Sequence, residues 1–187
     1  MSETRRFSIH PHIIHDLIVA QAGTLAKAVL ECIMNSIDAG ATRVDIDIDS
    51  CRIRIDDAGS GFQSRQEIQT WFEVFGFPHE EGGRTYGKFG IGRGQLWSFC
   101  STVWRTNAFE MDVDVKRDGL DYRLREGLDM VKGVMIDGTF YTPLLTSELM
   151  AFEKELTELA CFAQVPVRLN GHPITKDPGA EKWDFDT

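Results

Sequence analysis

Apolar and polar positions along the chain follow two different periods, and the change from one to the other marks the elements. Residues 25–37 carry apolar side chains at helical spacing, with Ile33, Met34 and Ile37 able to point inward. Thr24 stands where an N-cap is needed, and Gly40 follows the run, suited to the left-handed backbone that ends many helices. Val44-Asp45-Ile46-Asp47-Ile48-Asp49 alternates strictly. Arg52-Ile53-Arg54-Ile55-Asp56 repeats the alternation after a turn at Ser50-Cys51, so the two runs predict a β-hairpin with one buried face. Upstream, Ile13, Ile14, Leu17 and Ile18 predict a short helix within 9–20. Downstream, Ser64 caps a predicted helix to Phe75 whose buried stripe is Ile68, Trp71, Phe72 and Phe75, and the apolar run after Gln95 opens another. Strands are expected over 102–106, 111–116, 121–125 and 134–142, then a helix over 147–162, then a hairpin turning at Asn170-Gly171. Helices early and meandering strands late predict an α+β sandwich with helices on one face of the sheet.

Composition adds bounds. With 187 residues and 42% hydrophobic content, the chain suits a single domain, and no linker-like stretch divides it. The formal charge of -9 argues against sequence-independent nucleic-acid binding or attachment to anionic membranes by this domain alone. Cys32, Cys51, Cys100 and Cys161 are scattered without a Cys-x-x-Cys pair, which predicts small buried thiols in a reducing compartment. The apolar run after Arg5 and Arg6 is broken by His10, His12, His15 and Asp16, so neither a signal peptide nor a membrane span is expected, and a cytoplasmic location is. The His10-x-His12 pair does not share a helical face and lacks accompanying carboxylates, so it does not read as a metal site.

Three constellations carry chemistry. Glu31, Asn35 and Asp38 recur at four- and three-residue intervals, which stacks them on one helical face without accompanying Lys or Arg. Asp57-Ala58-Gly59-Ser60-Gly61 leaves the predicted hairpin with two glycines that permit close backbone approach to a ligand. Residues 76–94 form a long glycine-punctuated stretch in which Gly87, Gly90 and Gly92 could cradle phosphate where the chain enters a helix. Each alone has an ordinary explanation: a solvated helix face, a turn after a strand, a surface loop.

In this order and at these spacings, with Gly138-Thr139 on a late strand, the motifs resemble the GHKL ATPase superfamily. That group comprises gyrase-type topoisomerases, ninety-kilodalton heat-shock chaperones, sensor histidine kinases, MutL mismatch-repair proteins and MORC ATPases. The resemblance spans nearly the whole chain, with a core of about 9–175 in one domain covering 1–187. It implies the Bergerat fold, a two-layer α/β sandwich with a mixed, mostly antiparallel sheet covered by helices on one face, holding ATP beneath a mobile lid.

Carried over by position, the resemblance implies that Glu31 is the general base and that Asn35 binds Mg2+. Asp38 then stands at the pocket mouth, and Asp57 accepts a hydrogen bond from the adenine amine, flanked by Gly59 and Gly61. Thr139 would reach the same edge, while Gly87, Lys88, Gly90, Ile91 and Gly92 would meet the phosphates. Histidine kinases usually carry another residue where Asp38 stands, so the hydrolytic MutL/MORC-like branch is the expected one. In the hydrolytic relatives a Lys or Arg from a following domain touches the terminal phosphate, and the chain reaches Thr187 without one, so slow turnover in isolation is expected. The implied activity is Mg-dependent ATP hydrolysis to ADP and phosphate, with lid closure controlling a protein partner or a nucleotide-dependent homodimer. A protein kinase of the histidine-kinase branch and a non-hydrolysing nucleotide-binding module are the alternatives.

Overall fold

A computed structural model describes residues 23–75 and 92–179 together with Asp16, Ile18 and Ala20. Helix α1 (Leu25–Asp38) begins where Thr24 Oγ1 accepts the Lys27 backbone N–H at 3.3 Å. It ends as expected at Gly40. The Gly40 N–H donates to the Ile37 carbonyl and the Ala41 N–H to the Ser36 carbonyl, both at 2.9 Å, with Gly40 at φ 72. Those two bonds form a Schellman motif, and they set the chain directly into the first strand. The inward face of α1 is Leu25, Ala26, Ala28, Val29, Cys32 and Ile33, while Met34 and Ile37 are only partly buried.

Strands β1 (Val44–Ile48) and β2 (Arg52–Asp57) form the expected antiparallel hairpin, with Val44, Ile46, Ile53 and Ile55 inside. Strands β3 (Cys100–Asn107), β4 (Phe109–Val113), β5 (Tyr122–Arg125) and β6 (Val131–Phe140) follow. The chain closes with β7 (Val167–Leu169) and β8 (His172–Pro173). Together they make an eight-stranded sheet in the order β5-β4-β3-β6-β2-β1-β7-β8. Every pairing is antiparallel except β1 with β7. The β7–β8 turn has Asn170 at φ 49 and Gly171 at φ 77, the two positive values that a type I′ hairpin turn requires.

Helix α1 and the late helix packed against it, Thr146–Ala160, share one core with the inward side chains of the strands. Thr24 Oγ1 donates to Glu155 Oε1 at 2.9 Å and ties the two helices at the surface. The opposite sheet face is charged: Arg54 pairs with Asp56 and Asp137, Glu110 with Arg105 and Arg125, and Asp112 with Arg117 and Arg123. The molecule is thus an α+β two-layer sandwich whose sheet is mixed and mostly antiparallel. Among the described residues no helix is long and apolar enough to cross a membrane.

Three local expectations are corrected. The run expected as strand to 116 leaves the sheet at Val113 and turns into a short helix, Val115–Asp118, because Asp114 Oδ1 accepts the Arg117 N–H at 3.1 Å and caps it. The predicted helix after Ser64 is α-helical only over Arg65–Glu67 and continues as a π-helical turn over Ile68–Phe72. Its Trp71 is half-exposed instead of joining the buried stripe. Cys32 and Cys100 are buried, but Cys51 is exposed at the first hairpin turn, and all four thiols are free.

Candidate functional site

The polar face of α1, the end of β2 and the π-helical turn enclose a cavity of about 480 Å³. Glu31, Asn35 and Asp38 line it from α1, Asp57 and Gly61 from the end of β2, and Gly92 from the start of the Gly92–Gln95 helix. These residues come from three separated stretches of sequence, and the fold brings them to one place.

Asp57 is the most tightly fixed of them, 8% exposed. Its Oδ1 accepts the Gly59 N–H at 2.8 Å and the Val134 N–H at 3.1 Å, and its Oδ2 accepts the Ser36 hydroxyl at 2.9 Å. An ionised carboxylate offers about four acceptor directions. Three are occupied, which leaves one for a donor in the cavity. Gly59 has little spare room: a Cβ there would stand 3.1 Å from Asp57 Oδ1 and 3.2 Å from the Ala39 carbonyl. Gly61 has φ 61, and a Cβ would overlap the Thr106 hydroxyl and the Gly133 backbone. Since the Phe62 N–H donates to Thr106 Oγ1 at 2.9 Å, this loop is tied to the end of β3.

Glu31 is half-buried and burial raises its carboxyl pKa, which makes it a better proton acceptor than a solvated glutamate. A Cβ at Gly92 would overlap the Glu31 carboxylate, so a glycine there lets the two elements approach. Asn35 and Asp38 sit further out, exposed at the mouth. Cys32 also lines the cavity, but burial, then the charges of Glu31 and Asp57, push its thiol up to about 12. It stays protonated and is not a nucleophile.

Much of the remaining wall is apolar, from Phe62, Trp71, Phe72, Val74, Trp104, Val134 and Ile136, with Ser60, Glu67 and Thr70 as its polar members. A largely apolar cavity with the Asp57 acceptor in its lining suits a heteroaromatic ring with an amino edge. Polar residues at three- and four-residue spacing, extending outward on α1, suit the group such a ring carries.

Thr139 is not part of this arrangement. Strand β6 runs antiparallel to β2, so the start of β6 lies beside Asp57, while Thr139 pairs with Arg52 at the other end of the hairpin strand. Its exposed side chain lines a separate groove with Asp47, Arg52, Arg54 and Asn170. The residue beside Asp57 is Val134, through its backbone N–H. Gly87, Lys88, Gly90 and Ile91 lie outside the described residues.

Ser36, Trp71 and Val134 were not anticipated. A serine inside a helix is poorly suited to it and often has a bonding role, which is a usable signal for Ser36. Val134 acts through its backbone and leaves no trace in residue type. The exposure of Trp71 depends on the π-helical turn.

The family described as "Histidine kinase-, DNA gyrase B-, and HSP90-like ATPase" matches residues 23–113, the stretch that holds α1, the Asp57 loop and Gly92. The match supports the GHKL superfamily and implies ATP binding by a domain of that type. No curated protein matches the chain.

Proposed function

We propose, with this family match as the premise, that the chain is a Mg-dependent ATPase domain of the hydrolytic, MutL/MORC-like branch, built as one unit over about 9–175. The observation that carries the proposal is the convergence of Glu31, Asn35 and Asp57 on one cavity with a large apolar share in its walls. One sheet runs from β1 to β8, which supports a single unit.

In this reading Asp57 receives the exocyclic amine of adenine on its remaining acceptor direction, and Gly59 and Gly61 let the backbone pass close to the ring. Glu31 accepts the proton of the attacking water, a role that its burial-raised basicity favours. The described lining holds the carboxyl groups of Glu31, Asp38, Asp57 and Glu67 and no Lys or Arg to offset phosphate charge. These carboxyl groups favour a cation that accompanies the nucleotide. The Asn35 carboxamide oxygen fits Mg2+, a hard ion that takes few protein ligands and keeps several waters. When bound, the ion supplies charge neutralisation at the phosphates. Gly92 and the glycines before it, with Lys88, would meet the phosphates. Asp38 keeps the outer mouth polar. Occupancy of the cavity would then control contact with a protein partner or a second copy of the chain.

The test is turnover of terminally labelled ATP by the wild type and Glu31→Ala. Release of free phosphate that falls at least 100-fold in the variant, with ATP still bound, supports the proposal. Label transferred to protein would place the chain in the kinase branch, and hydrolysis unaffected by the substitution would remove Glu31 from its role.

A further inference from the structure

The half-exposed Trp71 has no place in the roles assigned so far. Helical spacing puts it on the inward face with Ile68 and Phe72, yet it is 52% exposed while Ile68 and Phe72 are fully buried. The cause is the π-helical turn, in which the Glu73 N–H reaches back five residues to the Ile68 carbonyl at 3.0 Å. A wider turn holds Phe72 over the core and carries Trp71 away from it. Phe72 is locked there by edge-on contacts to Phe62, Trp97, Trp104 and Tyr122, at ring separations of 5.4–6.1 Å. The largest apolar side chain of the segment is therefore turned out of the core and onto the wall of the cavity that holds Asp57.

The indole is half-exposed and lines the cavity, so it offers an aromatic surface to a ring held there. The cavity already has an acceptor for one edge of a purine. What such a ring still needs is a surface for its face, and every base presents a π-face to an aromatic side chain.

We propose that Trp71 is a ligand-contacting residue that stacks on the base of the bound nucleotide and sets affinity for adenine compounds independently of their phosphates. The inference rests on the nucleotide-binding reading above and adds to it the residue that holds the base by its face. Discrimination between adenine and guanine stays with Asp57, since stacking tolerates either ring.

The experiment is calorimetric titration of adenosine, ADP and ATP into wild type, Trp71→Ala, Trp71→Leu and Trp71→Phe, with Asp57→Asn as a reference. Loss of the stacked face should weaken all three ligands in Trp71→Ala by the same factor, roughly tenfold or more. Trp71→Phe should retain most of the affinity, and Trp71→Leu should fall below Trp71→Phe, because leucine restores apolar cover without a π-face. The side chain is half-exposed, so melting of the unliganded variants should match wild type. If Trp71→Ala does not fold, the comparison of Trp71→Leu with Trp71→Phe decides alone. Wild-type affinity in Trp71→Ala, equal affinity in Trp71→Leu and Trp71→Phe, or a loss confined to ATP would each overturn the proposal while leaving the nucleotide-binding reading in place. Absence of adenine-nucleotide binding by the wild type would overturn that reading and the inference with it.

Discussion

At the scale of single residues, the site turns on how few protons and lone pairs are available. The Ser36 hydroxyl has one proton and two acceptors in reach, the Cys32 carbonyl at 3.0 Å and Asp57 Oδ2 at 2.9 Å. Given to Asp57, that proton fixes the carboxylate from the side that the two backbone N–H groups do not reach. Ser36→Ala should cost about 1 kcal/mol of stability in a denaturant titration. It should also weaken ATP several-fold in a binding titration while leaving turnover at saturation unchanged, because Ser36 is remote in role from the phosphates. Glu31 gives a prediction with a sign. Burial raises its pKa from 4.5, so the folded protein binds more protons than the unfolded chain between the ordinary and the raised value. Stability contributed by this group falls as pH rises through that window, and above it the buried charge remains as a penalty. Glu31→Gln should therefore be more stable than wild type at pH 7, and the difference should vanish as the pH falls below about 4.5. A variant that is no more stable at pH 7 would mean that the Glu31 charge is fully compensated in the folded state.

At the scale of elements, what is local was legible and what depends on distant pairing was not. The cap at Thr24, the Schellman end at Gly40, the alternation of β1 and β2 and the Asn170-Gly171 turn are decided by residues adjacent in sequence, and all are formed as read. Glu31, Asn35 and Asp38 could be placed on one face for the same reason. Thr139 was misplaced because β6 carries glycines at Gly133 and Gly138, and only its register against β2 decides which end meets Asp57. The short Val115–Asp118 helix was missed because Val113 and Val115 continue a strand-like alternation past the residue that caps the turn. The π-helical turn was missed because an extra residue per turn is chosen by what Phe72 packs against. That dependence can be measured. Phe72→Ala removes the ring on which Phe62, Trp97, Trp104 and Tyr122 converge and should destabilise the protein by about 3–5 kcal/mol, read as a shift in urea midpoint. Phe72→Leu should cost less and keep the fold, and its affinity for ATP should still fall if the turn relaxes and Trp71 leaves the wall. An Ala variant as stable as wild type would show that the turn is held by something other than this cluster.

At the scale of the whole molecule, one core connects Ile18, α1, the sheet and Ile174, and the cavity is walled by parts of that same core, Phe72, Trp104 and Ile136 among them. A ligand held there is bound by the folded chain and not by the unfolded one, so it must raise the temperature of the global transition. The ion pairs of the open sheet face do not compete with this effect. Arg54, Arg117, Arg123 and Arg125 are about half-exposed or more, and exposed pairs are worth little in salt. Ligand at a hundred times its dissociation constant adds about 2.7 kcal/mol, which for a chain of this size is a rise in Tm of about 5–10 °C. ATP with Mg2+ should give that rise and ATP without it a smaller one, since the lining's carboxylates repel uncompensated phosphate. GTP should give less than either, because it presents a carbonyl where Asp57 has only an acceptor to offer. In Asp57→Asn the preference should narrow, the carboxamide being able to donate as well as accept. Equal shifts with ATP and GTP in the wild type would separate Asp57 from base recognition and leave its three protein hydrogen bonds as its whole role.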